Sequence, residues 1–397
     1  MDFKELLNLY KEGLVTEEEK HYIEREIEKY ETIEEYLSEI MDKEFENLTK
    51  IAKAENHDEE TIKLKKSVNN RLRKVMFASV AIVISLVITI FFIASPLVDT
   101  IYYNPKKITV GNSDSDISFD VYAISELNMP GLSPSTVLVD KKGFGKYDAM
   151  YSYRNVLTDE IYNVNHKIKR GKIVSSNKDP ILNRSIFLDI RYTDVNETYI
   201  EEKKQNVINH LEKLNPVSYV SMEIIFENDL TMEELYNLEL KYPDIEFEWA
   251  GIRTDSPDKK INEVIGIQLK NSKSKTALLG DEEYISAKYP AFFILGWLVN
   301  PVGFESNLLL EAQAYKHHYI SLLEYVIDRE AAVNVLEHRT GKYEFYKSAL
   351  EYAKKQGVKT YGVLVFAEAE DLLEMIHQEG IKGLNLNQAL VSKRNIN

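Results

Sequence analysis

The sequence predicts an α+β protein carried on one transmembrane helix. The expected order is a small all-α three-helix head, the span, and an α+β domain with split βαβ (ferredoxin-like) units and a helical insertion. Three observations lead there. Val75 to Val98 is a run of 24 residues without a charge. Before it, apolar residues recur at helical spacing. After it, alternating apolar segments are interleaved with helical ones.

The head, residues 1–52, reads as three helices. Phe3, Leu6, Leu7 and Tyr10 recur at helical spacing, and Gly13 ends the first helix. Thr16 followed by Glu19 is a capping box that starts the second, with Tyr22, Ile23, Ile27 and Tyr30 on its apolar face. Thr32 followed by Glu35 is a second box, expected to start a third helix carrying Ile33, Tyr36, Leu37, Ile40, Met41, Leu48 and Ile51. A unit of about 50 residues builds a small core and leaves apolar surface for a partner. A plain solvated linker or dimerising stalk is the bland alternative.

Charge sets the expected topology. Residues 1–60 hold 8 Lys/Arg against 20 Asp/Glu, a local net of −12, whereas 61–74 hold six bases and no acid. Segment 53–74 therefore reads as a polar, basic juxtamembrane linker suited to anionic lipid. A helix needs roughly 20 apolar residues to cross a bilayer core, which 75–98 supplies. The bases precede the span, so the positive-inside rule puts the N-terminus in the cytoplasm, although Lys106 and Lys107 follow it. A signal peptide would not follow 74 mostly acidic, helical residues. Ala291–Val299 is too short to cross and reads as core.

Beyond the span, residues 99–200 and 201–397 form an N-terminal and a C-terminal extracytoplasmic region. Ser118–Ala123 and Ser185–Tyr192 alternate like strands. Glu201–Leu214 is helical, Ser218–Phe226 a strand, and Thr231 with Glu234 caps a helix to about Lys241. Strands are expected at Ile245–Ile252 and Val264–Leu269, and helices at Leu308–His338 and at Tyr343–Gln356, the latter stopped by Gly357. Thr360–Ala367, Glu368–Gln378 and Ile381–Leu386 then repeat strand, helix, strand. Sequence alone leaves the strand order open.

The chain has no cysteine, which excludes disulfides, thiolate zinc sites, iron–sulfur clusters and Cys nucleophiles. A net charge of −15 argues against direct nucleic-acid binding. There is no H-E-x-x-H, P-loop, G-x-S-x-G or dinucleotide fingerprint. His317 and His318 are adjacent and so point about 100° apart on a helix, sharing no ligand face. Gly143-Phe144-Gly145 and Pro130-Gly131 read as turns. Asp114 with Asp116 and Glu282 with Glu283 read as solvated loop acids rather than a cation site. The 25 tyrosines read as core and surface before any aromatic-lined cleft. No cofactor and no catalytic residue is expected.

Leu6–Leu37 (LLNLYKEGLVTEEEKHYIEREIEKYETIEEYL) resembles the N-terminal domain of anti-sigma factors. Many members of that family hold zinc through H-x-x-x-C-x-x-C, and those three positions fall on Glu26, Tyr30 and Ile33 here. The resemblance is to a zinc-free version, with Tyr30 and Ile33 packing where ligands would stand and no metal bound. TIYYNPKK (100–107), ELNMPG (126–131), GFGKYD (143–148) and YGVLVFAEAEDLLEMIHQEGIKGLNL (361–386) together resemble the sigma-factor-regulator family of low-GC Gram-positive bacteria. The resemblance implies a membrane-anchored anti-sigma factor that sequesters an extracytoplasmic-function sigma factor and releases it on an envelope signal. Leu6, Leu7, Leu9, Tyr10, Leu37, Ile40 and Met41 would supply the sigma-binding surface, and a membrane protease or membrane co-regulator would assist release. A structural adaptor and, less favoured, an envelope enzyme are the alternatives.

Overall fold

A computed structural model describes residues 10, 15–54, 59–177, 197–255, 263–269, 282–293, 307–337 and 341–392. The chain divides into two compact units, Met1–Leu86 and Val87–Asn397.

In the first unit, helix α1 runs unbroken from Glu17 to Ala54. Its start is the expected box: the Glu19 amide donates to Thr16 Oγ1 at 3.3 Å, and the Thr16 amide donates to the Glu19 carboxylate at 3.0 Å. Those bonds from Thr16 hold the Glu19 carboxyl below its ordinary range. The second box is not made, and this corrects the expected break between a second and a third helix. Thr32 Oγ1 donates to the Glu28 carbonyl one turn back at 2.7 Å. A Thr hydroxyl can bond either the amide ahead of it or the carbonyl behind it, and the choice of Glu28 leaves Thr32 inside the helix. The expected first helix lies outside the described residues except for Tyr10.

Helix α2 is Glu59–Ile88. It continues through a π-helical stretch, Thr89–Ala94, into α3, Ser95–Ile101. Pro96 stands at the first turn of α3. A proline lacks the amide that would donate to the turn before it, and the wider π winding precedes that gap. Lys63–Ile101 is one helix long and apolar enough to cross a membrane, and its apolar side chains are exposed in the isolated chain.

The second unit holds two antiparallel sheets. One is a four-stranded meander, β1 (Leu132–Gly143), β2 (Lys146–Asn155), β3 (Ile161–Lys169) and β4 (Lys172–Ser176). Sequence reasoning missed it. Its β1–β2 turn is the expected Gly143-Phe144-Gly145, all three at positive φ. The other sheet combines β5 (Tyr219–Thr231), β6 (Glu246–Ile252), β7 (Gly266–Gln268), β8 (Lys359–Glu368) and β9 (Ile381–Leu390) in the order β7-β6-β8-β5-β9. The four long strands interleave as two βαβ units, β5–α6–β6 and β8–α11–β9, with α6 at Met232–Lys241 and α11 at Ala369–Gln378. This is the ferredoxin-like split βαβ arrangement expected from the sequence. Both faces of β8 are covered: Val363 and Val365 face the main core, Leu364 and Phe366 a smaller cluster with Tyr219, Ile225 and Trp249. That is why YGVLVFA reads as a continuous apolar run. The α6 box is complete, with the Thr231 amide donating to Glu234 at 2.7 Å.

The remaining helices are α4 (Asp116–Asn128), α5 (Glu197–Leu211), α7 (Glu282–Lys288), α8 (Asn307–Asp328), α9 (Glu330–Leu336) and α10 (Lys342–Gln356). Helices α7 to α10 lie between β7 and β8 and form the helical insertion. Helix α4 overturns the strand expected at Ser118–Ala123. Every residue from Asp116 to Leu127 is buried, so the helical period is erased from the sequence and a six-residue window mimics alternation. The strand expected at Ser185–Tyr192 lies outside the described residues.

Candidate functional site

Helix α1 presents an apolar stripe without a partner among the described residues. Ile33, Leu37, Ile40 and Met41 are spaced by four, three and one, so they share one face, with Tyr36 beside them. They are 53%, 53%, 37% and 66% exposed. Ile33 thus does not pack as expected; with no helix break at Thr32 there is no junction for it to fill. Glu26 is paired with Lys29 at 2.6 Å, and the Tyr30 side chain lies outside the described residues. Among the described residues no group of three or more His, Asp or Glu is placed to hold a metal. Tyr10 donates to the Glu24 carboxylate at 3.3 Å, near buried Ile23. Leu6, Leu7 and Leu9 lie outside the described residues. The structure therefore brings Leu37, Ile40 and Met41 together.

In the second unit, two polar clusters lie inside the core, and both begin on α4. Asp116 and Asp120 are four residues apart, so the helix sets both on one face. Asp120 accepts from Tyr103 (2.8 Å), Tyr325 (2.7 Å) and Arg329 through Nε (2.9 Å) and Nη2 (3.0 Å). Asp116 accepts from the amides of Thr109 (2.6 Å) and Val110 (3.1 Å) and from Arg329 Nη1 (3.1 Å). Asp116 is buried, not the solvated loop acid expected. Burial opposes the Arg329 charge, but its bonds to Asp120 outweigh that and hold the guanidinium pKa above its ordinary value. Burial, then the Asp120 charge, push the Tyr103 hydroxyl well up.

The second cluster is a buried His–carboxylate pair. His318 Nε2 meets Glu126, its Nδ1 contacts the Ala291 carbonyl at 2.8 Å, and both side chains are buried. Trp249 Nε1 donates to the Glu126 carbonyl at 2.9 Å. His317 is exposed, so the adjacent histidines do point apart. Glu126 and His318 are 192 residues apart, and only the motif ELNMPG hinted at a constrained Glu126. The pair is sealed in the core, away from the open cleft of about 930 Å³ lined by Glu197, Glu201, Lys204, Glu227 and Lys382. In that cleft Glu201 is paired with Lys204 at 2.7 Å, which keeps its carboxyl low rather than raised for acid catalysis.

The C-terminal end of the long apolar helix is fastened to the meander. The Phe144 amide donates to Ser95 Oγ at 3.0 Å, and the Gly145 amide and the Tyr147 hydroxyl each donate to Asp99 at 2.9 Å. Lys141 pairs with the other Asp99 oxygen at 2.7 Å. A side chain at Gly145 would be strained: a Cβ would sit 3.2 Å from Val98 Cγ1, at a φ of +70°.

Residues 211–388 match the family described as sigma factor regulator C-terminal. The match covers β5 through all but the last two residues of β9, the split βαβ sheet with its helical insertion. No curated protein and no solved structure matches the chain.

Proposed function

We propose that this chain, whose residues 211–388 match the sigma factor regulator C-terminal family, is a membrane-anchored anti-sigma factor that holds an extracytoplasmic-function sigma factor on its N-terminal head. The observation that carries the head's role is the exposed stripe of Ile33, Leu37, Ile40 and Met41 on a 38-residue helix. An amphipathic helix laid into an apolar groove is a recurrent protein-recognition mode, read through such spacing. The acids around the stripe would meet basic surface on the sigma factor, and charge of this kind raises the association rate and rejects wrong partners. The six bases at 61–74 support placing the head in the cytoplasm and residues 99–397 outside. The outside unit would sense the envelope signal, with release assisted by a membrane protease or co-regulator.

The test uses the full chain in detergent as bait for the sigma factors of its host. One of them should co-purify. Leu37→Glu with Ile40→Glu should weaken capture by about 2 kcal/mol or more, roughly 30-fold in Kd. A chain that captures no sigma factor, or a double variant that binds as well as the parent, would sink the reading.

A further inference from the structure

The four-stranded meander ends against the span, and that end is basic. Its two turns both touch the exit of the membrane helix. The β1–β2 turn bonds Ser95 and Asp99, and Phe144 at its tip stacks edge-on to Phe91, with ring centroids 6.1 Å apart. The β3–β4 turn faces the same segment: a Cβ on Gly171 would sit 3.8 Å from Tyr102 and 3.9 Å from the Tyr103 amide. Phe91, Ser95 and Val98 belong to the charge-free run, so in a bilayer crossed by 75–98 this end of the sheet would lie where hydrocarbon gives way to headgroups.

Register lines up the charges. Lys146 pairs with Gly143 on β1 and with Lys169 on β3, and Lys169 pairs with Lys172 on β4. Arg170 stands in the β3–β4 turn, at positive φ. Three acids are nearby, and each already has a cation. Asp99 is held by Lys141 at 2.7 Å, and Asp140 and Asp148 by Lys142 at 2.5 and 3.6 Å. Lys146, Lys169, Arg170 and Lys172 are exposed and have no ion pair among the described residues. Four like charges side by side repel one another, and they stand out in a chain of net charge −15.

We propose that this end of the meander is a docking surface for anionic lipid, with Lys146, Lys169, Arg170 and Lys172 in contact with headgroup phosphates and Phe144 seated at the hydrocarbon boundary. The headgroup layer is about 5–8 Å thick on each side, within reach of a lysine or arginine rooted at the membrane exit. The aromatic tip and the cations match the amphipathic and charged anchors that settle at a bilayer interface. The cations follow the charge-free run in sequence, whereas the six bases at 61–74 precede it. The positive-inside rule counts bases in short flanking segments, and these four are 48 or more residues beyond Val98 and arrive through folding. Docking would fix the second unit against the membrane plane, independently of what the head binds.

The test is hydrogen exchange on the full chain in nanodiscs of phosphatidylcholine alone or mixed with phosphatidylglycerol. Anionic lipid should slow exchange at 143–147 and 169–173, and each base should be worth roughly fivefold in attraction to the surface. The variant Lys146→Glu/Lys169→Glu/Lys172→Glu should lose the difference, and the three-fold Lys→Arg variant should keep it. Salt supplies a measurement without substitution: about 1 M should abolish the difference in the parent, because screening then acts over roughly 3 Å. Equal exchange in both nanodiscs would overturn the proposal. So would equal slowing by soluble glycerol phosphate added to neutral nanodiscs, which would show a site for free phosphate rather than a lipid surface.

Discussion

Asp120→Asn removes one charge and almost no volume, so it isolates the electrostatics of the buried network. The carboxylate accepts four hydrogen bonds, from Tyr103, Tyr325 and two nitrogens of Arg329. All four are donors pointing inward. An amide offers one oxygen and one NH2, so its nitrogen must face a donor and at least one bond becomes a clash. Arg329 keeps only Asp116 at 3.1 Å as a carboxylate partner. Breaking a buried pair from one side costs about 3–5 kcal/mol, because the remaining charge is left uncompensated. Tyr103→Phe deletes one hydrogen bond to a charged acceptor and should cost about 1.5–3 kcal/mol. The assay is denaturant unfolding of the full chain, followed by near-UV circular dichroism. The double variant Asp120→Asn/Arg329→Met completes a cycle, and it should cost less than the two single changes added together, because neither charge is then stranded. A loss below about 1 kcal/mol for Asp120→Asn, or strict additivity in the cycle, would refute the view that Arg329 depends on Asp120. The stakes are positional, since Tyr103 follows the span by a few residues and this network holds it in the core.

Two further outcomes are expected. Thr16→Ala should cost about 1 kcal/mol of helix stability and speed exchange of the Glu18–Lys20 amides, whereas Thr32→Ala should cost much less, because Thr32 sits within α1 and caps nothing; equal losses would restore a helix break at Thr32. Lys288 and Tyr289 hydrogen-bond Asp328, and the Lys288 bond foremost holds that carboxyl below its ordinary value of 3.8. The folded pKa is lower than the unfolded one, so the stability from Asp328 is full above about pH 4 and fades as pH falls through the folded pKa. Asp328→Asn should flatten that acid limb in a pH series of unfolding midpoints, and an unchanged slope would contradict it.

Much of the architecture was legible along the chain. The charge-free run, the bases before it, the Thr16 and Thr231 caps and the two strand–helix–strand repeats are local signals, each read within a few residues. Local signals also misled. SFDVYA alternates over six residues, yet Asp116 and Asp120 meet one arginine only if the segment is helical, and Arg329 is more than 200 residues away. Thr32-Glu35 has the letters of a cap, but the hydroxyl found a carbonyl behind it. The meander was missed although IYNVNHKIK alternates and glycine turns bracket its strands, because it buries only part of each strand and so carries a weak apolar signal.

The sequence by itself determined that one segment is long and apolar enough to cross a membrane, that the charge is divided unevenly about it, and that two βαβ units follow, since length, period and caps are properties of neighbouring residues. Only the tertiary structure decided the strand order β7-β6-β8-β5-β9, the enclosure of Glu126 with His318, and the seating of the meander's basic end on the last turn of the span. Those depend on which distant surfaces exclude water from each other. That free energy belongs to pairs of segments, and no single stretch of sequence records it.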